Sequence, residues 1–192
     1  MQDLDYSVTY LSNKNVGTAK VVIRGKGVYT NSLTKTFTIR PETMASAVIN
    51  GCKAKYSYTG KQVKPLIQVV WNGKVLKNNT DYTLLYKNNK NRGAAGIVVS
   101  GKGNYSGTLT ASFTIVRASV KKASVTGLKA VYARTGKAIK PKVTVKLGGK
   151  KLKKKRDYIL SYRKNKKKGT ALLYVKGVGN YSGTKKMKFK IR

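Results

Sequence analysis

Asp81-Tyr82-Thr83-Leu84-Leu85-Tyr86, then Gly93-Ala94-Ala95, then Gly101-Lys102-Gly103-Asn104-Tyr105-Ser106-Gly107, and finally Phe113-Thr114-Ile115 form the stretch that decides the fold. It occurs three times. Asp5, Tyr6, Gly17, Gly25, Gly27, Tyr29, Phe37 and Ile39 make one copy. Asp157, Tyr158, Gly169, Gly177, Gly179, Tyr181, Phe189 and Ile191 make another. Each position recurs every 76 residues without an insertion. A fixed period of this length marks a repeat architecture, in which one unit is copied along the chain.

The unit reads as β structure. Tyr82, Leu84 and Tyr86 alternate with polar residues, as do Tyr158, Leu160 and Tyr162, and Ala19, Val21 and Ile23. A two-residue period places alternate side chains on one face, which predicts strands buried on one side. Glycines stand between the runs, where turns need positive φ or a close backbone approach. The string from Gly101 to Gly107 has a superficial likeness to a dinucleotide-binding loop. Its third glycine is one place late and no helical pattern follows, so a tight turn between strands is the better reading. No segment shows helical periodicity. Short strands with turn signals at regular spacing predict an all-β chain of sandwich type.

Residues 1–40 hold the second half of a unit, 41–116 a complete unit and 117–192 another. The stretch from Arg40 to Thr43 reads as a linker, with Pro41 stopping any ladder. In the complete units a weak strand is expected near Ala47–Ile49. Strands with inward Val63, Pro65, Ile67, Val69 and Trp71, and inward Ile139, Pro141, Val143, Val145 and Leu147, are expected next. Asn72-Gly73 is a hairpin signal, replaced by Gly148-Gly149 in the last unit. The phase of the boundaries near 40/41 and 116/117 stays open. A lone half unit of this size is too small to be stable unaided and must pack on its neighbour, on another copy or on preceding chain. Met1 opening on a half unit suggests a fragment of a longer protein. No 18-residue apolar run is present, which predicts no transmembrane helix, and residues 1–25 lack the apolar region of a signal peptide. Cys52 is the single cysteine, so no internal disulfide forms; its side chain is expected either to be buried or to present an exposed thiol.

Tyr56 and Thr59-Gly60-Lys61 recur as Tyr132 and Thr135-Gly136-Lys137, ahead of the Asp-Tyr stretch. With Gly103-Asn104-Tyr105-Ser106-Gly107-Thr108 and Phe113-Thr114-Ile115, these motifs resemble the immunoglobulin-like β repeats of surface and secreted proteins in Gram-positive gut bacteria. The likeness covers almost the whole chain. It departs at Val178, where the other copies have Lys26 and Lys102, and at Val28 in place of the usual asparagine. The resemblance implies tandem immunoglobulin-like sandwiches in an extracellular, cell-wall-associated protein. It also implies a non-catalytic module serving as spacer or adhesive segment. The family's defining residues are structural, so no binding site is carried over.

Charge separates the copies. The chain carries 42 basic and 5 acidic residues, a net charge of +37. Residues 1–40 contribute +4, 41–116 contribute +8 and 117–192 contribute +25. In the last unit Lys140, Lys142 and Lys146 fall on the outward parity of one strand, and Lys186, Lys188 and Lys190 on that of another. Lys150, Lys151, Lys153, Lys154, Lys155, Arg156, Lys164, Lys166, Lys167 and Lys168 fill the turns. Soluble surfaces ordinarily mix both signs. A face carrying one acidic residue, Asp157, among 26 basic ones points to a polyanion-binding surface, against the plainer reading of a solvated face. Lysine is a flexible, hydrated point charge, suited to a repetitive polymer such as teichoic acid, mucin, a glycosaminoglycan or DNA.

Other chemistry lacks its residues. With no histidine, a histidine-based triad cannot form. Zinc and calcium ligand clusters are missing from the sequence, and no cofactor is expected. Asp5, Asp81 and Asp157 occupy one recurring slot and are expected to cap a turn. No motif supports a serine–lysine dyad. Tyr174, on the outward parity beside Lys176, could stack on a base or sugar, but one ring is weak support for single-strand binding. Three readings therefore stand: a cationic surface module that binds anionic polymer, a passive stalk, and a non-specific electrostatic nucleic-acid binder without groove-reading motifs. A host protein is a further possible partner, and no membrane insertion is expected.

Overall fold

The computed structural model describes residues 1–192. The chain is all-β, with several sheets, one 3-10 turn at Val120–Lys122 and no α-helix. No helix is long and apolar enough to cross a membrane. In chain order the first strands are β1 (Tyr6–Leu11), β2 (Gly17–Gly25), β3 (Ser32–Ile39), β4 (Glu42–Thr43), β5 (Val48–Asn50), β6 (Lys55–Ser57), β7 (Gln68–Trp71) and β8 (Lys74–Val75). Next are β9 (Tyr82–Lys87), β10 (Gly93–Gly101), β11 (Tyr105–Ser106), β12 (Thr108–Val116) and β13 (Ala118–Ser119). The last are β14 (Ser124–Thr126), β15 (Val131–Tyr132), β16 (Thr144–Leu147), β17 (Lys150–Lys151), β18 (Tyr158–Arg163), β19 (Gly169–Gly177), β20 (Tyr181–Ser182) and β21 (Thr184–Ile191).

One strand order is used more than once. The sheets β6-β12-β10-β9 and β15-β21-β19-β18 have four strands each, and β5-β7-β8 and β14-β16-β17 have three. The sheet β1-β2-β3 has only the three antiparallel strands equivalent to β9, β10 and β12. In the four-stranded sheets the remaining strand adds in parallel: Ile115 faces Tyr56, and Ile191 faces Tyr132.

Contact density divides the chain into two compact units. The first comprises residues 1–52, 65–87 and 96–112, and the second 53–64, 88–95 and 113–192. The core of the second unit is drawn from two of its sheets. Val145, from β16, packs in one cluster with Leu173 and Val175 of β19 and Phe189 and Ile191 of β21. This is what a two-residue hydrophobic period requires, since each sheet has one apolar face to bury. In the first unit Met44, Val69, Leu76, Tyr82, Ile97, Val99 and Tyr105 are buried.

The expected inward runs are only partly strand. Regular pairing begins at Gln68 and Thr144, not near Val63 or Ile139. Pro65 and Pro141 are buried, but a proline has no N–H to give to a ladder. Their carbonyls accept instead from the Tyr86 and Tyr162 hydroxyls, at 3.0 and 2.7 Å. The weak strand expected near Ala47–Ile49 is found at Val48–Asn50.

The glycines of the Gly-x-Gly stretch have a steric cause. A Cβ on Gly177 would lie 2.7 Å from the Ser182 backbone N and 2.8 Å from its O. The chain doubles back there, and Gly177 N–H donates to Gly183 O at 2.9 Å. Gly179 lies at φ +62°, where a side chain is strained.

Candidate cationic site

The three aspartates cap turns. Asp157 Oδ2 accepts from the Lys153 N–H at 2.8 Å, and Asp81 Oδ2 from the Lys77 N–H at 2.8 Å; Asp5 takes the N-terminal ammonium of Met1. The Asp157 carbonyl accepts from Val178 N–H at 3.0 Å, tying the strand start to the Gly-x-Gly turn. Where the earlier copies have lysine, Lys26 Nζ and Lys102 Nζ reach the Asp3 and Asn79 carbonyls. Val178 gives up that bond.

Asp157 is buried, and the exposed Arg156 guanidinium grips both its oxygens at 2.9 and 2.8 Å. Those bonds hold the Asp157 carboxyl below its ordinary range against the opposing effect of burial; the Lys153 N–H and nearby Lys150 act in the same direction. The contribution to stability is therefore present above the unfolded-state value, about 3.9, and lost as pH falls through the lower folded value. Asp157→Ala is expected to cost about 1.5–3 kcal/mol, as for a hydrogen bond to a charged group. The variant should also flatten the acid limb of a stability–pH curve below about pH 4. An unchanged acid limb would show that this carboxylate is not a stability determinant.

The predicted cationic residues fall into separate groups. Lys140, Lys142, Lys151, Lys153 and Lys154 line one cleft of about 1220 Å³, with Leu152, Tyr158, Leu160 and Tyr162 among its walls. Burial pushes the Tyr158 and Tyr162 hydroxyls up, so these walls stay neutral. Lys164, Lys166, Lys167 and Lys168 surround a smaller pocket of about 570 Å³ in the turn between β18 and β19. Lys186, Lys188 and Lys190 are exposed along β21, opposite Tyr174, Leu172 and Thr170. Lys146 lies directly across from Lys151, and Lys150 from Leu147. A like-charged cross-strand pair is destabilising, so the Lys146–Lys151 pair calls for counterions. Lys155 is exposed at φ +71°. Arg156 differs from the others because Asp157 occupies its guanidinium. None of the lysines of residues 117–192 is ion-paired.

The equivalent cleft positions of the middle copy read Lys64, Leu66, Val75, Lys77 and Asn78. Two lysines thus stand where the last copy has five. Tyr174, the candidate stacking ring, carries the Arg163 guanidinium over its face at 5.7 Å from the centroid. That cation–π contact competes with a base or sugar for the same face.

One constellation escaped the sequence reading. Asn180 Oδ1 accepts from Arg92 N–H at 2.9 Å, and its Nδ2 donates to Asn91 Oδ1 at 3.1 Å. Asn104 does the same to Val16 N–H at 2.8 Å and Asn15 Oδ1 at 2.9 Å. Tyr58 meets Tyr181 edge-on at 5.4 Å. The sequence reads the Gly101–Gly107 string that holds Asn104 as a turn, and Asn180 occupies the same place one period later. The available signal was that Asn15 and Asn91 recur with them at the same period. Asn180→Ala is expected to cost about 1 kcal/mol and to speed amide exchange at Arg92 while leaving Val16 unchanged. Asn104→Ala should do the reverse, and equal changes at both amides would refute two independent clasps.

A comparison with protein-family models found no match, and neither did one with curated proteins.

Proposed function

We propose that the chain is a non-catalytic, extracellular surface module of tandem immunoglobulin-like β-sandwich repeats, related to those of Gram-positive gut bacteria. Its last repeat, 117–192, binds anionic polymer such as wall teichoic acid, mucin or a glycosaminoglycan, for attachment or adhesion. The observation that carries the reading is the convergence of Lys140, Lys142, Lys151, Lys153 and Lys154 on one cleft without a carboxylate partner. Charges of one sign around a concave surface focus the field and raise the local concentration of an anionic ligand. The half-buried Leu160 and Tyr162 offer contact area to a sugar or glycerol backbone, while the lysines take its phosphates, sulfates or carboxylates.

The test is affinity of the full chain for teichoic acid, heparin and duplex DNA across a salt series. Binding that weakens steeply with salt supports the reading. A clear preference for nucleic acid would favour the electrostatic nucleic-acid alternative. Absence of binding to all three near physiological salt would refute polyanion binding. Histidine, the side chain whose ordinary pKa falls between 5 and 8, is missing. Affinity for a sulfated polymer is therefore expected to stay flat over that pH range.

The paired asparagine clasps favour a second role, that of a stiff spacer. Hydrogen bonds from Asn104 and Asn180 fasten loops 88 or 89 residues earlier within each compact unit.

A further inference from the structure

The sheet β1-β2-β3 leaves part of its apolar face open, although Ala19 at its centre is buried. Phe37 is 41% exposed, whereas Phe113 and Phe189, its counterparts, are 3% and 2%. Tyr29 is 59% exposed against 8% for Tyr105 and 4% for Tyr181. Tyr10 and Leu33 stand open as well.

What covers this face elsewhere occurs twice in the same chain, with the same contacts. Tyr56 and Tyr132 meet Phe113 and Phe189 edge-on, each at 5.3 Å. Each adds a short parallel strand beside the strand carrying that phenylalanine. Val63 N–H donates to Asn89 O at 2.7 Å and Asn89 Nδ2 returns a bond to Val63 O at 2.9 Å. Ile139 and Asn165 repeat that exchange at 2.7 and 2.8 Å. The Pro65 and Pro141 carbonyls take the Tyr86 and Tyr162 hydroxyls. Phe37, Tyr10 and Asn13 present the same ring, hydroxyl and amide in β1–β3 and the loop between β1 and β2, and no segment supplies the partners.

We infer that this face is a docking site for a polypeptide segment with the pattern of residues 53–76: a tyrosine-bearing strand that adds in parallel along β3, followed by a Val-x-Pro stretch. The occupant is specified by its chemistry. Its tyrosine lies edge-on against Phe37. Its valine backbone exchanges hydrogen bonds with Asn13. Its proline carbonyl accepts from Tyr10. Main-chain pairing along an open sheet edge supplies affinity, and the alternate side chains supply selection. The inference is independent of the cationic cleft, since it rests on β1–β3 alone.

The experiment adds a synthetic peptide of residues 53–76 to the full chain and follows amide exchange and calorimetry. One-to-one binding is expected, with slowed exchange confined to β3 and the loop between β1 and β2. Tyr56→Ala in the peptide should weaken binding about tenfold, the loss of an aromatic anchor. Phe37→Ser in the chain should do likewise, and because that side chain is already open the sheet need not depend on it for folding. A scrambled peptide of the same composition separates pattern from charge. Protection along β12 instead of β3 would mean exchange with the chain's own segment and would overturn the inference. So would no binding, binding of the scrambled peptide with equal affinity, or dimerisation of the chain through this face that the peptide does not compete with.

Discussion

Phe189→Ala is expected to destabilise its unit by about 3–5 kcal/mol, and Phe37→Ala by roughly 1 kcal/mol. The two phenylalanines occupy the same slot of the repeat. Phe189 is 2% exposed, opposite Ala171 in the ladder and edge-on to Tyr132. Removing it deletes a buried ring and leaves a cavity in a core drawn from two sheets. Phe37 is opposite Ala19 in the same register, but it is 41% exposed. Its removal loses part of a transfer term and opens no enclosed cavity. Because the chain holds two compact units, a single unfolding free energy is a poor readout. Amide exchange at Leu173 and Ile23 reports each region separately. Equal effects at the two positions would mean that β1–β3 is covered in solution, which would also count against an open docking face.

The second large effect concerns binding. Replacing Lys140, Lys142, Lys151, Lys153 and Lys154 together by glutamine removes the charges that line the cleft while leaving its apolar and tyrosine walls. On duplex DNA each neutralised phosphate adds about −0.9 to the log–log salt slope, so five contacts correspond to about −4.5 and a loss of roughly 500-fold from 50 to 200 mM salt. The fivefold variant should lose that much slope. Substituting Lys186, Lys188 and Lys190 tests the outer edge of β21 by the same measure and should remove less. If the β21 variant flattens the slope and the cleft variant does not, the binding face is the strand edge and the cleft assignment is wrong. If every group contributes in proportion to its charge, the attraction is diffuse and the cleft has no special part.

Much of this protein is legible in its sequence because strands announce themselves locally. The alternation of Tyr158, Leu160 and Tyr162 marks β18 without any knowledge of its partners, because the pleat alone sets the period of two. Asp157 at a turn, and glycines at 177 and 179, follow from rules that act over a few residues. The lysine excess of 117–192 needs no structure to be seen.

What the tertiary structure decided are relations between residues far apart in the chain. Residues 139–143 alternate like a strand, yet pairing starts at Thr144 because Pro141 cannot donate and its carbonyl is claimed by Tyr162. Asn180 reads as one more turn residue until folding brings Asn91 and Arg92 beside it. The basic residues form one undifferentiated excess in sequence. Only packing gathers five of them around a cleft and ties Arg156 to Asp157. Identical slots also acquire different fates: Phe37 and Phe189 share one local pattern, and burial separates them. Local pattern sets where a side chain points, because strand geometry is short-ranged. Whether anything lies there to meet it depends on which distant segments are present, and that is a property of the assembled fold.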